Sequence, residues 1–476
     1  MRASGVLVCL LSGGVAAIVA CGDDGGANKL PDAPPGSDGA LPDTPDPPTP
    51  ARITITRDGS GVESVDVYFQ NADNTLVAKV PTDANGVAEA TVMPGAYVTV
   101  VNPFRVAFGG VPQDDVETIA GVQPGDQLQL TQNNGRQTLT NVNIVVDEDA
   151  NGSQYKMWAT CMVLDAKSSA GMPYYLSVGS GGERPAASPD MVDPCPKADI
   201  LVESENGSGS GVGWIFKDDV AITASADIDI TDAYTATPQV NVAYSDVPAA
   251  VTNLSVMNLL TTPDGVLWRE QSNTDVVTGA ASWSFERPNP AGSTQVFLTN
   301  MYGGGSYGQH QVIDWKPIAD PATISFANAL LREYTTTPTF DVATSSVTWM
   351  EAATGAIADL AIAEMTGFRS GATTLSWRWR LAGVPSGTTL KFPTLPADIA
   401  QYNVVTGDTT DVFSLTTAKL PGGYNSVRPV VLSIENPTVL IGGASGRIVI
   451  QQLPGRVVTR QAPSAPTGAR AAARSR

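Results

Sequence analysis

From residue 52 to residue 453, apolar and polar positions alternate in short runs bounded by Gly, Pro, Asn and Asp, the period of strands rather than helices. In the stretch 63–70, ESVDVYFQ, the residues Val65, Val67 and Phe69 fall on one face, as in a half-buried strand. Residues 76–101 place a turn at Asp83-Ala84-Asn85-Gly86 between two strands and a second at Pro94-Gly95 before a third. Further strands are expected in DVAITASADIDI (219–230), QVNVAYSDV (239–247), SVTWM (346–350), TLKFPTLP (389–396), VFSLTTAKL (412–420) and RPVVLSIENP (428–437). Residues 204–213, SENGSGSGVG, read as a flexible connection. Only two stretches suggest helix: FANALLREY (326–334) and ATGAIADLAIAEM (353–365), the latter also alternating as a strand. The fold class expected is all-β, as tandem antiparallel sandwiches.

In Leu375-Ser376-Trp377-Arg378-Trp379-Arg380-Leu381 the period of two puts both Trp with both Leu on one face and both Arg with Ser376 on the other. A sugar platform uses exposed coplanar rings. Leucine companions place Trp377 and Trp379 in a core instead, while Trp214, Trp268 and Trp315 receive no role.

The ends of the chain lack this alternation. Residues 3–20 contain an apolar run broken by Ser12, Gly13 and Gly14, after a single Arg2. It is shorter than the roughly 20 apolar residues of a spanning helix and fits a secretory signal. Residues 22–51 are rich in Pro, Gly and Asp, with six Asp against Lys29, and bury nothing; a disordered tether is expected there. The tail 454–476 carries five Arg and no acid, and reads as disordered and basic. With a formal charge of −19 for the whole chain, the body is strongly acidic, which argues against nucleic acid as a partner.

The four residues Ile18, Val19, Ala20 and Cys21 resemble the lipobox of bacterial lipoproteins. That resemblance implies that Cys21 is lipidated, that residues 1–20 are removed, and that the membrane is a partner through the anchor. Gly22 in place of Asp points to the outer membrane on the same analogy. The turn Thr82-Asp83-x-x-Gly86, followed by Pro94-Gly95-x-Tyr97, resembles the carboxypeptidase regulatory-like domain, a transthyretin-like sandwich, over residues 52–146. That domain is an accessory module and brings no catalytic residues. Two further β-rich segments follow, 147–335 and 336–453, either separate or continuous with each other.

Of the four cysteines, Cys9 leaves with the signal and Cys21 is taken by the anchor. Cys161 and Cys195 most simply pair in an exported chain; the loop of 35 residues they enclose would gain about 3–4 kcal/mol on the chain-entropy estimate.

Candidate chemistry is sparse. The single histidine, His310, excludes the two-histidine zinc site of a peptidase. Gly304-Gly305-Ser306-Tyr307-Gly308 matches G-x-S-x-G formally, but that motif works on a strand–turn–helix corner with a distant histidine, so a Gly-rich loop is expected instead. Asp147, Asp149 and Asn151, followed by Gly152, match the first half of a calcium loop; Trp158 stands where the bidentate glutamate belongs. Calcium is therefore the one cofactor with any sequence support. The expectation is a non-catalytic envelope lipoprotein that binds an envelope protein or polysaccharide. The rival is a glycan-active envelope enzyme relying on carboxylates alone, whose spacing only a structure reveals.

Overall fold

The computed structural model describes residues 49–57, 59–101, 106–108, 111–132, 139–160, 174–178, 184–192, 195–223, 227–263, 265–303, 309–317, 322–327, 330–371, 374–433 and 445–453. Cys9, Cys21, Cys161, Ser306 and nearly all of the expected signal, tether and tail lie outside them.

The body from Pro48 onward is one compact unit, and it is all-β and mainly antiparallel. Its largest element is a thirteen-stranded sheet. In chain order its main strands are β1 (Asp66–Gln70), β2 (Leu76–Pro81), β3 (Ala96–Val101), β4 (Val111–Val122), β5 (Val251–Thr262) and β6 (Gly265–Asp275). They continue with β7 (Thr294–Gly303), β8 (Gln309–Pro317), β9 (Leu360–Arg369), β10 (Leu375–Gly383), β11 (Thr409–Lys419) and β12 (Gly446–Leu453). Across the sheet they run β6-β5-β7-β8-β12-β11-β9-β10-β4-β3-β1-β2, with Val106–Phe108 paired to β4 off this path. All neighbours on the path are antiparallel except β10 and β4, which run parallel from Trp377↔Asp114 to Ala382↔Ile119.

The pleat sorts side chains onto two faces. One face carries Val67, Phe69, Val98, Ile119, Val296, Ile313, Ala382 and Ile448, and packs on a smaller sheet holding Ile53, Ile55, Leu128 and Leu130 and on the chain at Tyr424–Leu432. The other face is covered in two places. Near β5 and β7 it packs on the three-stranded sheet of Val240, Val242, Phe285 and Ile324. Near β9 and β10, Met365, Trp377, Trp379 and Leu381 meet Val347, Trp349, Leu390 and Phe392. A fourth core, Val142 to Ile230, lies inside the segment 141–236, between a five-stranded and a three-stranded sheet.

Residues 51–132 do form two facing layers, but one of them is part of the large sheet, and its strand β4 is hydrogen-bonded to β10. Boundaries expected at 146 and 335 therefore do not coincide with sheet edges: strands from all three segments share one sheet. Non-local parallel pairing overrides the local pattern here.

The local expectations fare as their chemistry dictates. Val65, Val67 and Phe69 are all buried. At Asp83–Gly86 the carboxylate accepts from the Asn85 and Val87 amides at 2.8 and 2.9 Å, and Gly86 has φ +76°, a left-handed conformation that glycine adopts without strain. Residues 204–213 are a hairpin end, with the Asn206 Oδ1 accepting from the Ser208 and Ser210 amides. The helix expected at 326–334 is absent among the described residues. Leu331 and Tyr334 form isolated bridges to Ala356 and Glu351, and Phe326, Leu331 and Tyr334 are spent on cores, which a helical run would have turned apart. Residues 353–365 take the alternating option, entering β9 at Leu360. Arg428–Ser433 is a 3-10 segment rather than a strand, fixed where Arg428 grips Asp126 at 2.6 and 2.8 Å.

Candidate functional site

Trp377 and Trp379 are buried to 0% and 2% exposure. The Trp379 Nε1 donates to Thr118 Oγ1 at 3.0 Å, and its ring meets Phe392 edge-on at 4.9 Å. Across from Trp377 stands Gly367, where any Cβ would overlap the indole ring. These rings are core, as their leucine companions indicated. Trp315 is buried in the same manner over Gly446.

His310 lies on β8 between Met301 and Gln451 and is buried. Burial holds its pKa below the usual imidazole value, against the pull of Glu333, and its Nε2 has no partner among the described residues.

Asp147, Asp149 and Asn151 sit in a turn that uses its own oxygens. Asp147 is ion-paired with Arg184 at 2.7 Å, Asp149 accepts from the Asn151 amide at 3.0 Å, and the Ser204 hydroxyl donates to Asp149. The Gly152 amide closes the turn on the Asp149 carbonyl at 3.0 Å. Among the described residues no three or more acidic, histidine or cysteine side chains gather to hold a cation. Cys195 belongs to the fourth core.

Two charged clusters were not anticipated. The first sits on the Tyr424–Leu432 side of the large sheet. Arg378 grips Asp115 with two bonds of 2.9 Å and approaches Glu364 at 3.4 Å and Glu117 at 3.6 Å. Arg380 donates to the Leu432 carbonyl at 2.9 Å. Burial raises the Glu117 pKa, with Arg380 and Arg378 opposing, and its Oε2 has no partner among the described residues.

The second cluster lies where the five-stranded sheet of segment 141–236 meets β6. Strands Gln154–Ala159 and Lys197–Glu205 are paired with Lys156 opposite Glu203, and Glu203 opposite Trp214 on the next strand. Lys156 is bonded to Glu205, and the Trp268 Nε1 of β6 donates to Glu203 Oε2 at 3.3 Å. Glu270 and Glu286 add negative charge from the facing side. Burial pushes the Glu203 pKa up to about 7; the charges of Glu205 and Glu270 add to this, and the Trp268 N–H and Lys156 oppose it. Burial raises the Glu270 pKa as well. The pair Glu203 and Glu205 lies on one face of one strand, one carboxyl with an acidity near neutral and the other held by an ammonium. A buried acid beside a paired carboxylate is the pattern of acid–base chemistry. Here, however, both residues are 5% exposed, and the strand bearing Gly211 passes so close that a Cβ there would overlap the Glu203 carboxylate.

No family model and no curated protein matches the sequence. Solved structures with partial likeness include the Bacillus anthracis TIE protein, at 11% identity over 58% of this chain and 50% of that one, with a TM-score of 0.14. Another is the minor pilin GBS52 of Streptococcus agalactiae, at 11% identity over 40% of this chain and 97% of that one, TM-score 0.17. A third is a streptococcal ancillary pilin, at 11% identity over 58% and 98%, TM-score 0.14. At such scores nothing of those proteins' roles transfers; the all-β assignment rests on the strands described above.

Proposed function

We propose that this chain is a non-catalytic bacterial envelope lipoprotein, anchored in the outer membrane through Cys21. Residues 22–51 act as its tether, and the β body serves as a binding or structural element toward an envelope protein or polysaccharide. One observation carries the non-catalytic reading: the two carboxyls with pKa values raised toward neutral, Glu203 and Glu117, and the single histidine, His310, are all buried. The two layers over 51–132, with the Asp83–Gly86 turn between strands, support the likeness to a carboxypeptidase regulatory-like module. Pairing of Cys161 with Cys195 is supported by the neighbour of Cys161: the Thr160 amide donates to Asp199 at 3.1 Å, four residues beyond Cys195.

Cys21→Ser tests the anchor. The variant is expected to accumulate as an unprocessed, unacylated precursor, and maturation like the parent's would refute the reading. Alkylation under native, non-reducing conditions is expected to leave Cys161 and Cys195 unmodified. Panels of esters, peptides and glycosides should show no turnover.

The one observation favouring a second reading, a carboxylate-dependent glycan enzyme, is the raised pKa of Glu203 beside Glu205. Turnover that vanishes in Glu203→Gln, with the fold retained, would establish it.

A further inference from the structure

Segment 141–236 is a candidate moving part. It has its own core, with Val142, Ile144, Val146, Met157, Ile200, Val202 and Ile230 packed on one another. Outside that core, strands Gln154–Ala159 and Lys197–Glu205 touch β6. This contact is mixed. Trp158, Leu201 and Trp268 supply an apolar patch, the two rings tilted at 54° with centroids 6.3 Å apart. Beside it stand Lys156, Glu203 and Glu205 from the segment. The facing strands bring Glu270 on β6 and Glu286 on Ala281–Glu286, and Tyr175 lies under the Lys156 ammonium at 6.0 Å. Four carboxyl groups thus meet one ammonium, while Arg269, next to Glu270 on β6, lies opposite Leu259 on the other face of the sheet. With every carboxylate charged, such a contact repels itself in a medium that screens poorly. A proton on Glu203 removes one charge while keeping an oxygen to accept from Trp268.

We propose that this contact is a proton-controlled seam: it is closed while Glu203 carries a proton, and it loosens segment 141–236 from β6 when that proton leaves. The sign follows from linkage. The folded-state pKa of Glu203, about 7, is raised above its ordinary 4.5. Closure is therefore fully favoured below pH 4.5 and loses that favour as pH rises toward 7. A single proton changes the opening equilibrium about tenfold per pH unit within that window.

Hydrogen exchange of the full chain, corrected for the intrinsic rate, reads the seam directly. Between pH 5 and pH 8, protection of residues 197–205 and 265–275 is expected to fall by about 100-fold. Residues 66–81, at the far edge of the sheet from both the seam and Glu117, should keep theirs. Glu203→Gln keeps the acceptor but has no proton to lose, and should flatten the profile. Equal protection of the seam at both pH values in the parent, or an unchanged pH dependence in Glu203→Gln, would overturn the proposal. Trp268→Phe provides a second route should Glu203→Gln fail to fold. It removes a donor that favours the charged carboxylate, so the transition should move to higher pH; an unmoved midpoint would also overturn the proposal.

Discussion

The Arg378 cluster and the Glu203 seam both join stretches far apart in the chain, and both take carboxylates out of water. They neutralise them differently. At Arg378 two guanidinium groups face Asp115, Glu117 and Glu364, and the fork geometry satisfies Asp115 bidentately. At Glu203 a single ammonium, itself bonded to Glu205, faces an excess of acid. A buried carboxylate is tolerated when a fixed cation or a proton cancels it. The Arg378–Asp115 fork is the fixed-cation solution, whereas Glu203, and within the first cluster Glu117 with its pKa raised to about 8, depend on a proton.

Removing the fixed cation should have the largest effect. Arg378→Ala leaves Asp115, exposed by only about 4%, without its bidentate partner and Glu117 with Arg380 alone, and should cost about 3–5 kcal/mol in denaturant unfolding at pH 7. A loss under about 1 kcal/mol would erase the distinction between the two clusters. Lys156→Met should matter less and in a pH-dependent manner. Glu205 then joins the uncompensated acids, so the expected loss is about 1–3 kcal/mol at pH 8 and much smaller at pH 4. Parallel thermal melts at the two pH values check it, and an equal loss at both would count against an electrostatic origin. The smallest effect is expected at His310, which has the opposite sign. Its folded pKa is depressed, so its contribution is present above about 6.5 and lost as pH falls below that value. His310→Gln should blunt that acid-side loss by about 1 kcal/mol or less, while leaving the behaviour of the Glu203 seam above pH 5 in place.

Much of the fold was legible where the signal was local. Period-two alternation placed Val67, Phe69, Trp377 and Trp379 correctly, and the carboxylate of Asp83 with Gly86 marked its turn, because each depends on residues a few places apart. The pairing of β4 with β10 had no such signal. Asp115 and Glu117 alternate on one face, as do Arg378 and Arg380, yet nothing in either stretch names the other some 263 residues away. The Glu203 seam was missed for a related reason: Glu203 and Glu205 share a face with Leu201, which hints at burial, but Glu270 and Glu286 meet them only through the packing of sheets. The helix expected at 326–334 failed because tertiary demand on Phe326, Leu331 and Tyr334 outweighed propensity.

The position of β12 has a consequence for how the molecule is assembled. It is the last of the sheet's strands in the chain, yet it lies between β8 and β11, near the middle. A ribosome delivers its amino-terminal neighbours first, so β5 to β8 and β9 to β11 must wait as two panels, each with a raw backbone edge of the kind that recruits stray strands. Closure comes when residues 446–453 slide in as a keystone, bonding Trp315 to Gly446 on one side and Leu415 to Leu453 on the other. The large sheet thus stays open along its middle until residues 446–453 have been made.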